Sequence, residues 1–218
     1  MTYEQVCRDP AVRIYVAQAD AALAALGYTE HSFAHVTKVA DTAGGLLDDL
    51  GYPARTGELA RIAGFLHDIG NIVNRVDHSQ SGAVMAFRLL DKMGFPPEEI
   101  ALIISAIGNH DEGNGVAVNE VAAALILADK CDVRASRVRD VSEISTDIHD
   151  RVNHSVQSAR LELDRGKDHL TLHLRIDTEI SSVMEYFEIF MERMLLCRKA
   201  ARKLGLTFLL TINGPQLV

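Results

Sequence analysis

The chain has 218 residues, of which 48% are hydrophobic and 24% charged, as is typical of a globular protein with a sizeable core. Its formal net charge of -8 argues against a general nucleic-acid-binding surface, which would be basic. No apolar stretch reaches the roughly 20 residues that a membrane helix needs, and the N-terminus lacks a signal-peptide pattern. Three widely spaced cysteines (Cys7, Cys131 and Cys197) suggest no disulfide framework, so we expect a cytoplasmic protein without membrane partners.

The hydrophobic periodicity of the first 140 residues predicts helices only. Their starts are marked by N-cap residues or proline and their ends by glycine, as in the Asp9-Pro10 pair that opens the first one. Asp77 and Gln80 are spaced as in a capping box at the start of the fourth. The predicted helices cover residues 11–26, 28–50, a segment that ends at 70, 78–93, 97–108, and a segment from about 119 to 129.

The stretch GFLHDIG, residues 64–70, places an imidazole and a carboxylate side by side at the end of a predicted buried helix. Gly70 is predicted to end that helix in a left-handed conformation. Polar and charged groups at a buried position are costly unless they are paired or bound to a metal. The pair His67-Asp68 is therefore the first candidate for a functional site.

Six side chains that can bind a divalent metal ion occur at or near predicted helix ends. They come in the order His35, His67, Asp68, His78, His110 and Asp129. Imidazoles and carboxylates together suit Zn, Mn, Fe and similar ions, and we expect one or two ions, of Mn, Fe, Zn, Mg or Ni. Asp68 can bridge two ions. His35, His67 and Asp129 would then complete one site, and His78 and His110 the other.

This order resembles the HD superfamily of metal-dependent phosphohydrolases. Residues 35–40 (HVTKVA) resemble the helix of the first histidine, residues 63–70 (AGFLHDIG) the signature, and residues 127–130 (LADK) the terminal aspartate. The signature often continues with lysine, whereas Asn71 stands here. Asn109-His110, without a following Gly-Tyr-Pro, argues against the cyclic-di-GMP phosphodiesterase branch.

The resemblance covers roughly residues 25–135 and implies a helical bundle with the metal site at its centre. Beyond it, residues 161–164 and 169–176 alternate apolar and polar side chains as strands do, followed by a helix over 182–204 and a strand over 206–212. The predicted fold is mainly α, with an HD-domain helical bundle (1–145) and a small α+β appendage (146–218). Because a hairpin is marginal alone and exposes strand edges, we expect the appendage to form a homodimer.

The leading interpretation is a metal-dependent phosphohydrolase that cleaves a phosphate ester or anhydride of a nucleotide or related small molecule. No serine or cysteine is visibly paired with a base, so metal-activated water is the predicted nucleophile. Asp68 and His67 are the predicted catalytic residues; Asp111 is a second candidate for orienting the water. Two alternatives stay open: a di-iron oxygenase that uses the same ligands, and a nucleotide sensor without activity.

Phosphate binding is predicted for Lys130, Arg134 and Arg137. They are spaced i, i+4, i+7, so they share one face if the helix of Asp129 continues, and guanidinium groups bind phosphate in bidentate fashion. The alternative is a solvated or salt-bridged helix face. His31 is predicted one turn before His35, either lining the substrate pocket or pairing with the first-turn backbone.

Overall fold

The structure, a computed structural model, describes residues 1–139, 147–214 and 216–217. Within these ranges it contains nine α-helices, two 3-10 turns and one three-stranded sheet, which confirms the predicted mainly α fold. The helices are α1 (Tyr3–Arg8), α2 (Pro10–Ala25), α3 (Phe33–Leu50), α4 (Ala54–Leu66), α5 (His78–Lys92), α6 (Pro97–Gly108), α7 (Glu120–Lys130), α8 (Ile148–Ser155) and α9 (Val183–Lys203). The 3-10 turns are Ile69–Ile72 and Ala135–Arg137, and the strands are β1 (Val156–Leu163), β2 (His169–Ile176) and β3 (Thr207–Ile212).

The predicted start is confirmed for α2 and α5, whereas the start of α3 and the predicted cap of α5 differ from the structure. The Asp9 carboxylate caps α2, as predicted, by accepting from the first free amides. Helix α3 begins at Phe33 rather than at 28, because the Ser32 side chain is its N-cap, so His31 lies in the preceding loop. Helix α5 begins at His78 as expected, but Asp77 is left-handed and makes no side-chain cap. The predicted capping box is therefore wrong.

Gly70 has a different role from the predicted one. It does not adopt a left-handed conformation, and the chain runs from α4 through His67 and Asp68 into the 3-10 turn. A side chain at Gly70 would collide with the carbonyl oxygen of His78 and the amide nitrogen of Gly82. The glycine thus lets α5 approach the His-Asp pair closely, which places His78 beside Asp68.

Helix α7 is the centre of the bundle. Its residues from Val121 to Lys130 are all buried, because α3, α4 and α6 pack around it and α9 covers the remaining side. A helix that is apolar on every face needs such complete cover. The aspartate near its end, Asp129, is thereby delivered to the middle of the protein.

The C-terminal segment forms a layer on this bundle. Strand β2 lies between β1, to which it is antiparallel, and β3, to which it is parallel, and α9 makes the crossover between β2 and β3. Helix α9 packs against both α7 and β3. Strand β1 begins at Val156, five residues before the predicted start. The predicted domain boundary at 145/146 lies outside the described residues, and the homodimer stays a prediction.

None of the helices in the described ranges is long and apolar enough to cross a membrane.

Candidate metal centre

Three of the histidines predicted as ligands are buried and oriented by backbone carbonyl oxygens. Because a carbonyl oxygen can only accept a hydrogen bond, Nδ1 of each ring carries the hydrogen and Nε2 presents its lone pair. Fixing one ring nitrogen in this way is how proteins orient metal-binding histidines. The contacts join Nδ1 of His67 to Gly64 (2.8 Å), of His110 to Ile107 (2.6 Å) and of His78 to Arg75 (3.1 Å).

His35 is oriented by a carboxylate instead. Its Nδ1 lies 2.8 Å from Oδ2 of Asp132, a fully buried side chain that also accepts from Lys38 (2.7 Å) and from Arg134 (2.9 Å). Burial alone would raise the pKa of Asp132, but the hydrogen bonds from His35 and Arg134 hold it well below its usual value. Asp132 is therefore ionised and keeps the hydrogen of His35 on Nδ1, with Nε2 free.

The carboxylate of Asp68 lies between two groups of histidines. Its Oδ2 is 3.1 Å from Nε2 of His67 and 3.6 Å from Nε2 of His35. Its Oδ1 is 3.6 Å from Nε2 of His78 and accepts a 2.9 Å hydrogen bond from the side-chain amide of Asn71. Asn71, at the position where the signature often has lysine, thus fixes the orientation of this carboxylate. One oxygen faces each group, which is the arrangement of a bridging ligand.

The other carboxylate, Asp129, approaches the same histidines. Its Oδ1 is 3.3 Å from Nε2 of His35 and 3.6 Å from Nε2 of His67, and its Oδ2 pairs with Lys130 at 2.7 Å. Ligand atoms that share an ion at about 2.1 Å lie roughly 3.0–3.5 Å apart. The separations around Asp129 are close to this range. We call His35, His67 and Asp129 the first triad.

The second group consists of Asp68, His78 and His110, which we call the second triad. Nε2 of His78 is 3.2 Å from Nε2 of His110 and 3.6 Å from Oδ1 of Asp68. The ligand atoms of His67, Asp68 and His110 also lie within 4.8 Å of one another, so His67 stands next to both triads. All six residues that the sequence nominated therefore meet in one place.

Unpartnered atoms at the centre show that the donor set suits a cation. Among the described residues, Nε2 of His35, Nε2 of His67 and Oδ2 of Asp68 are buried without a hydrogen-bond partner. Such atoms are costly in a protein interior unless something binds them. Here they converge, and neutral imidazoles with carboxylates are the ligands that divalent transition-metal ions prefer. The residues therefore fit a metal ion.

The protonation of the site agrees with this fit. Burial alone would lower the pKa of His67, but the charges of Asp68 and Asp129 raise it to about 10. Without an ion, Nε2 of His67 therefore carries a proton, and a cation bound there would replace this proton and balance the charge of the two carboxylates. Burial lowers the pKa of His110 well below its usual value and also lowers that of His78. These two rings are neutral, as metal ligands must be.

Residues 32–134 match the family profile of the HD domain. This segment of the chain is identified as an HD domain. Solved structures similar to it include the crystal structure of a predicted HD superfamily hydrolase from an uncultured Thermotogales bacterium. The two chains are 25% identical, the match covers 60% of this chain and 73% of that one, and the TM-score is 0.43. No protein with a curated description matches significantly.

A cavity of about 480 Å³ leads to the candidate metal ligands. The residues at its base are the candidate ligands Asp68, His78, His110 and Asp129. Its walls come from the loop before α3, with Tyr28 and His31, and from α8 and α9, with Asn153, Phe190 and Arg193. The C-terminal layer therefore contributes to the site, although the sequence suggested a separate appendage.

The three residues predicted to bind phosphate make different contacts in the structure. Helix α7 ends at Lys130, so the shared helical face predicted for Lys130, Arg134 and Arg137 does not exist. Lys130 lines the cavity, but it is buried and paired with Asp129 and with Glu112 (3.1 Å).

The two arginines that follow serve other contacts. Arg134 forms an ion pair with Asp132 and does not line the cavity among the described residues. Arg137 lines the cavity and is buried, and it donates to the carbonyl oxygens of Glu30 (2.9 Å) and Asp132 (2.8 Å). Neither guanidinium therefore lies on the helical face that the sequence predicted for phosphate binding.

His31 lines the cavity, as one of its two predicted roles required, but from a loop. Its amide donates to the carboxylate of Asp20 (2.8 Å), its Nδ1 donates to the carbonyl oxygen of Thr29 (2.7 Å), and its ring contacts that of His35 edge to face. The pairing with the first-turn backbone of α3, the other predicted role, is not formed, because α3 begins only at Phe33.

A relay of charged groups that the sequence did not reveal connects α9 to the site. Arg193 donates through Nε to Glu112 (2.6 Å), Glu112 pairs with Lys130 (3.1 Å), and Lys130 pairs with Asp129 (2.7 Å). The charges of Lys130 and Arg193 lower the pKa of Glu112 despite its burial. Glu112 is therefore a carboxylate, and the relay alternates in sign from α9 to the first triad.

Proposed function

We propose that this HD-domain protein is a metal-dependent phosphohydrolase that cleaves a phosphate ester or anhydride of a nucleotide or related small molecule. The observation that carries the proposal is the convergence of three unpartnered buried atoms, Nε2 of His35, Nε2 of His67 and Oδ2 of Asp68. A helix end with a purely structural role would leave no such group of unpartnered atoms and would not need a cation. The match to the HD domain over residues 32–134 supports the same assignment.

The roles of the residues follow from their contacts. A divalent ion bound here lowers the pKa of a water toward ~7 and polarises the phosphoryl oxygen. Asp68, whose Oδ1 is held by the amide of Asn71, would hold the ion and orient the attacking water. His67 presents Nε2 to the same carboxylate, and Asp132 keeps the ring of His35 from rotating.

Two ions are proposed rather than one. Asp68 directs Oδ2 toward His35 and His67 and Oδ1 toward His78, so its carboxylate has one oxygen for each triad. Two-ion sites have metal separations of ~3.5–4 Å, a span that one bridging carboxylate can cover. The first triad would hold one ion and the second triad the other.

The shape of the cavity favours a small substrate. A volume of about 480 Å³ is within the range of ~300–1,000 Å³ that is usual for small-molecule sites. Positive side chains at its wall, Arg75, Arg137 and Arg193, suit an anionic compound despite the net negative charge of the chain.

The test combines three measurements on the purified full chain. Elemental analysis should find a bound transition metal, and a screen of nucleotides and sugar phosphates should show phosphate release that chelation abolishes and metal restores. Oxygen uptake is recorded with the same compounds. Metal-dependent oxygen consumption without phosphate release would replace this proposal with the oxygenase, and ligand binding without either would replace it with the sensor.

A further inference from the structure

Four cationic side chains line the cavity, and three of them are already engaged. Lys130 is surrounded by the carboxylates of Asp129 and Glu112, and Arg193 donates to Glu112 as well. Arg137 donates to backbone carbonyl oxygens and lies 4.0 Å from the carboxylate of Asp132. These three cations therefore have partners within the protein that would compete with a ligand.

The fourth cation, Arg75, has neutral hydrogen-bonding partners among the described residues. In the part of the chain that the structure describes, its guanidinium makes no ion pair with a carboxylate. Its Nη1 lies 3.3 Å from Oδ1 of Asn71 and 3.3 Å from Nε2 of His78, and its Cζ stands 5.7 Å from the ring centroid of Tyr28. Both polar contacts are long for hydrogen bonds. Among the described residues, this half-buried guanidinium beside the cavity thus has no carboxylate within ion-pair distance.

The position of this guanidinium defines what it can bind. Nε2 of His78, which Arg75 contacts, belongs to the second triad and lies 3.6 Å from Oδ1 of Asp68. An anion held by Arg75 would therefore lie against the proposed metal centre. The guanidinium plane offers parallel N–H donors that match two oxygens of a phosphate, and it stays charged at every physiological pH.

We propose that Arg75 binds the terminal phosphate of the substrate and places it against the second triad. This inference rests on the proposed function and deepens it, because it assigns phosphate recognition to the segment between the 3-10 turn and α5 rather than to Arg134 or Arg137. The substrate class is then a small molecule with a free terminal phosphate, whose charge a single guanidinium and the metal centre share. Tyr28 packs on Arg75 and limits its motion.

Replacing the side chain of Arg75 removes two long contacts, to His78 and Asn71, but keeps the backbone contact that orients His78. The backbone carbonyl of Arg75 orients His78 through Nδ1 and does not depend on the side chain. The variants Arg75→Gln and Arg75→Lys should therefore fold and bind metal like the unmodified protein. Arg88, which is exposed on α5, supplies the matched controls Arg88→Gln and Arg88→Lys.

The experiment measures binding of inorganic phosphate to the Mn²⁺-loaded full chain by calorimetry, together with metal content and steady-state kinetics. We expect Arg75→Gln to weaken phosphate binding about tenfold or more and Arg75→Lys by a smaller factor, with metal content unchanged. KM for a phosphorylated substrate should rise in the same order. Phosphate affinity within about twofold of the unmodified protein in Arg75→Gln would overturn the inference.

This outcome is separable from a failure of the proposed function. A chain that releases phosphate but is insensitive to Arg75→Gln contradicts only the role of Arg75. A chain that binds inorganic phosphate through Arg75 but hydrolyses no phosphate compound contradicts the phosphohydrolase and retains the phosphate site.

Discussion

The two triads of the metal centre are built differently. In the first triad, ionised side chains hold two of the ligands: the buried carboxylate of Asp132 holds His35, and Lys130 holds Asp129, which also lines the cavity. The second triad borders the cavity, and its histidines are held by the backbone carbonyls of Ile107 and Arg75. Ionised partners favour tight retention of an ion in the first triad, whereas the second triad, with three members at the cavity, is better placed for contact with substrate.

This difference assigns separate tasks to the two sides. We expect the first triad to determine whether the protein holds metal at all, and the second to determine how many ions it holds and how substrate meets them. Substitutions in each triad and around it test these separate tasks, and the expected loss of metal or activity decreases from the first triad to Arg134.

The largest effect is expected in the first triad. His35→Ala and His67→Ala should lose both ions, because His67 stands next to both triads and His35 faces both Asp68 and Asp129. Turnover should fall roughly 10³-fold or more, since a catalytic metal supplies several kcal/mol of transition-state stabilisation. Elemental analysis and phosphate release measure the two losses. Asp91→Ala, an exposed position on α5, is the control for handling and folding.

A smaller loss is expected in the second triad. His78→Ala and His110→Ala should reduce the metal content from about two ions per chain to about one, while the first triad keeps its ion. Residual turnover should exceed that of the first-triad variants. A single ion per chain in the unmodified, metal-saturated protein would contradict the two-ion centre without affecting a one-ion hydrolase.

A third prediction concerns the partner of His35. Asp132→Asn should weaken metal binding by roughly 10- to 100-fold, because the substitution removes the negative charge that orients the imidazole. Competition with a chelator of known affinity measures the change. Asp41→Asn, at an exposed position on the same helix as His35, should behave like the unmodified protein. Equal affinities for all three proteins would show that Asp132 has no such role.

The relay from α9 should affect stability more than metal binding. Arg193→Met removes a hydrogen bond between charged groups, which is typically worth about 1.5–3 kcal/mol. We expect the free energy of unfolding to fall by about this amount in urea titrations, with the metal content retained. Arg198→Met, at an exposed position on the same helix, is the control. If the two variants were equally stable, the contact between α9 and Glu112 would not contribute to stability.

The smallest effect is expected for Arg134→Lys. Arg134 is partly exposed and pairs with Asp132, which keeps its contacts with Lys38 and His35 in the variant. Ion pairs of this kind contribute ~0–1 kcal/mol, so kcat/KM should change by less than roughly fivefold. A larger loss that is confined to kcat/KM for a phosphorylated substrate would instead indicate that Arg134 binds the phosphate.

Local patterns predicted most helices of the bundle and nominated six candidate ligands that the structure brings together. The pair His67-Asp68 is adjacent in the chain, and apolar spacing alone placed it at a buried helix end. The partners of these ligands could not be inferred in the same way. Asp132 is 97 residues from His35 and Arg193 is 81 from Glu112, so only the packed structure brings them together.

Two errors have local physical causes. The predicted phosphate-binding face required the helix of Asp129 to continue as far as Arg137, but the chain leaves the helix at Cys131 and turns so that Arg134 reaches Asp132. The sequence pattern predicts that Gly70 ends the helix in a left-handed conformation, whereas the structure needs a residue without a side chain at this position. A sequence pattern does not separate these two uses of glycine.

The most direct test of the account follows metal content and phosphate release in parallel in the unmodified chain and in Asp68→Ala. The unmodified protein should lose phosphate release when stripped of metal and regain it in proportion to the metal restored. Asp68→Ala should show neither full metal occupancy nor turnover under the same conditions, because its carboxylate faces both triads. An Asp68→Ala protein that keeps its metal and its phosphate release would place the reaction elsewhere in the molecule.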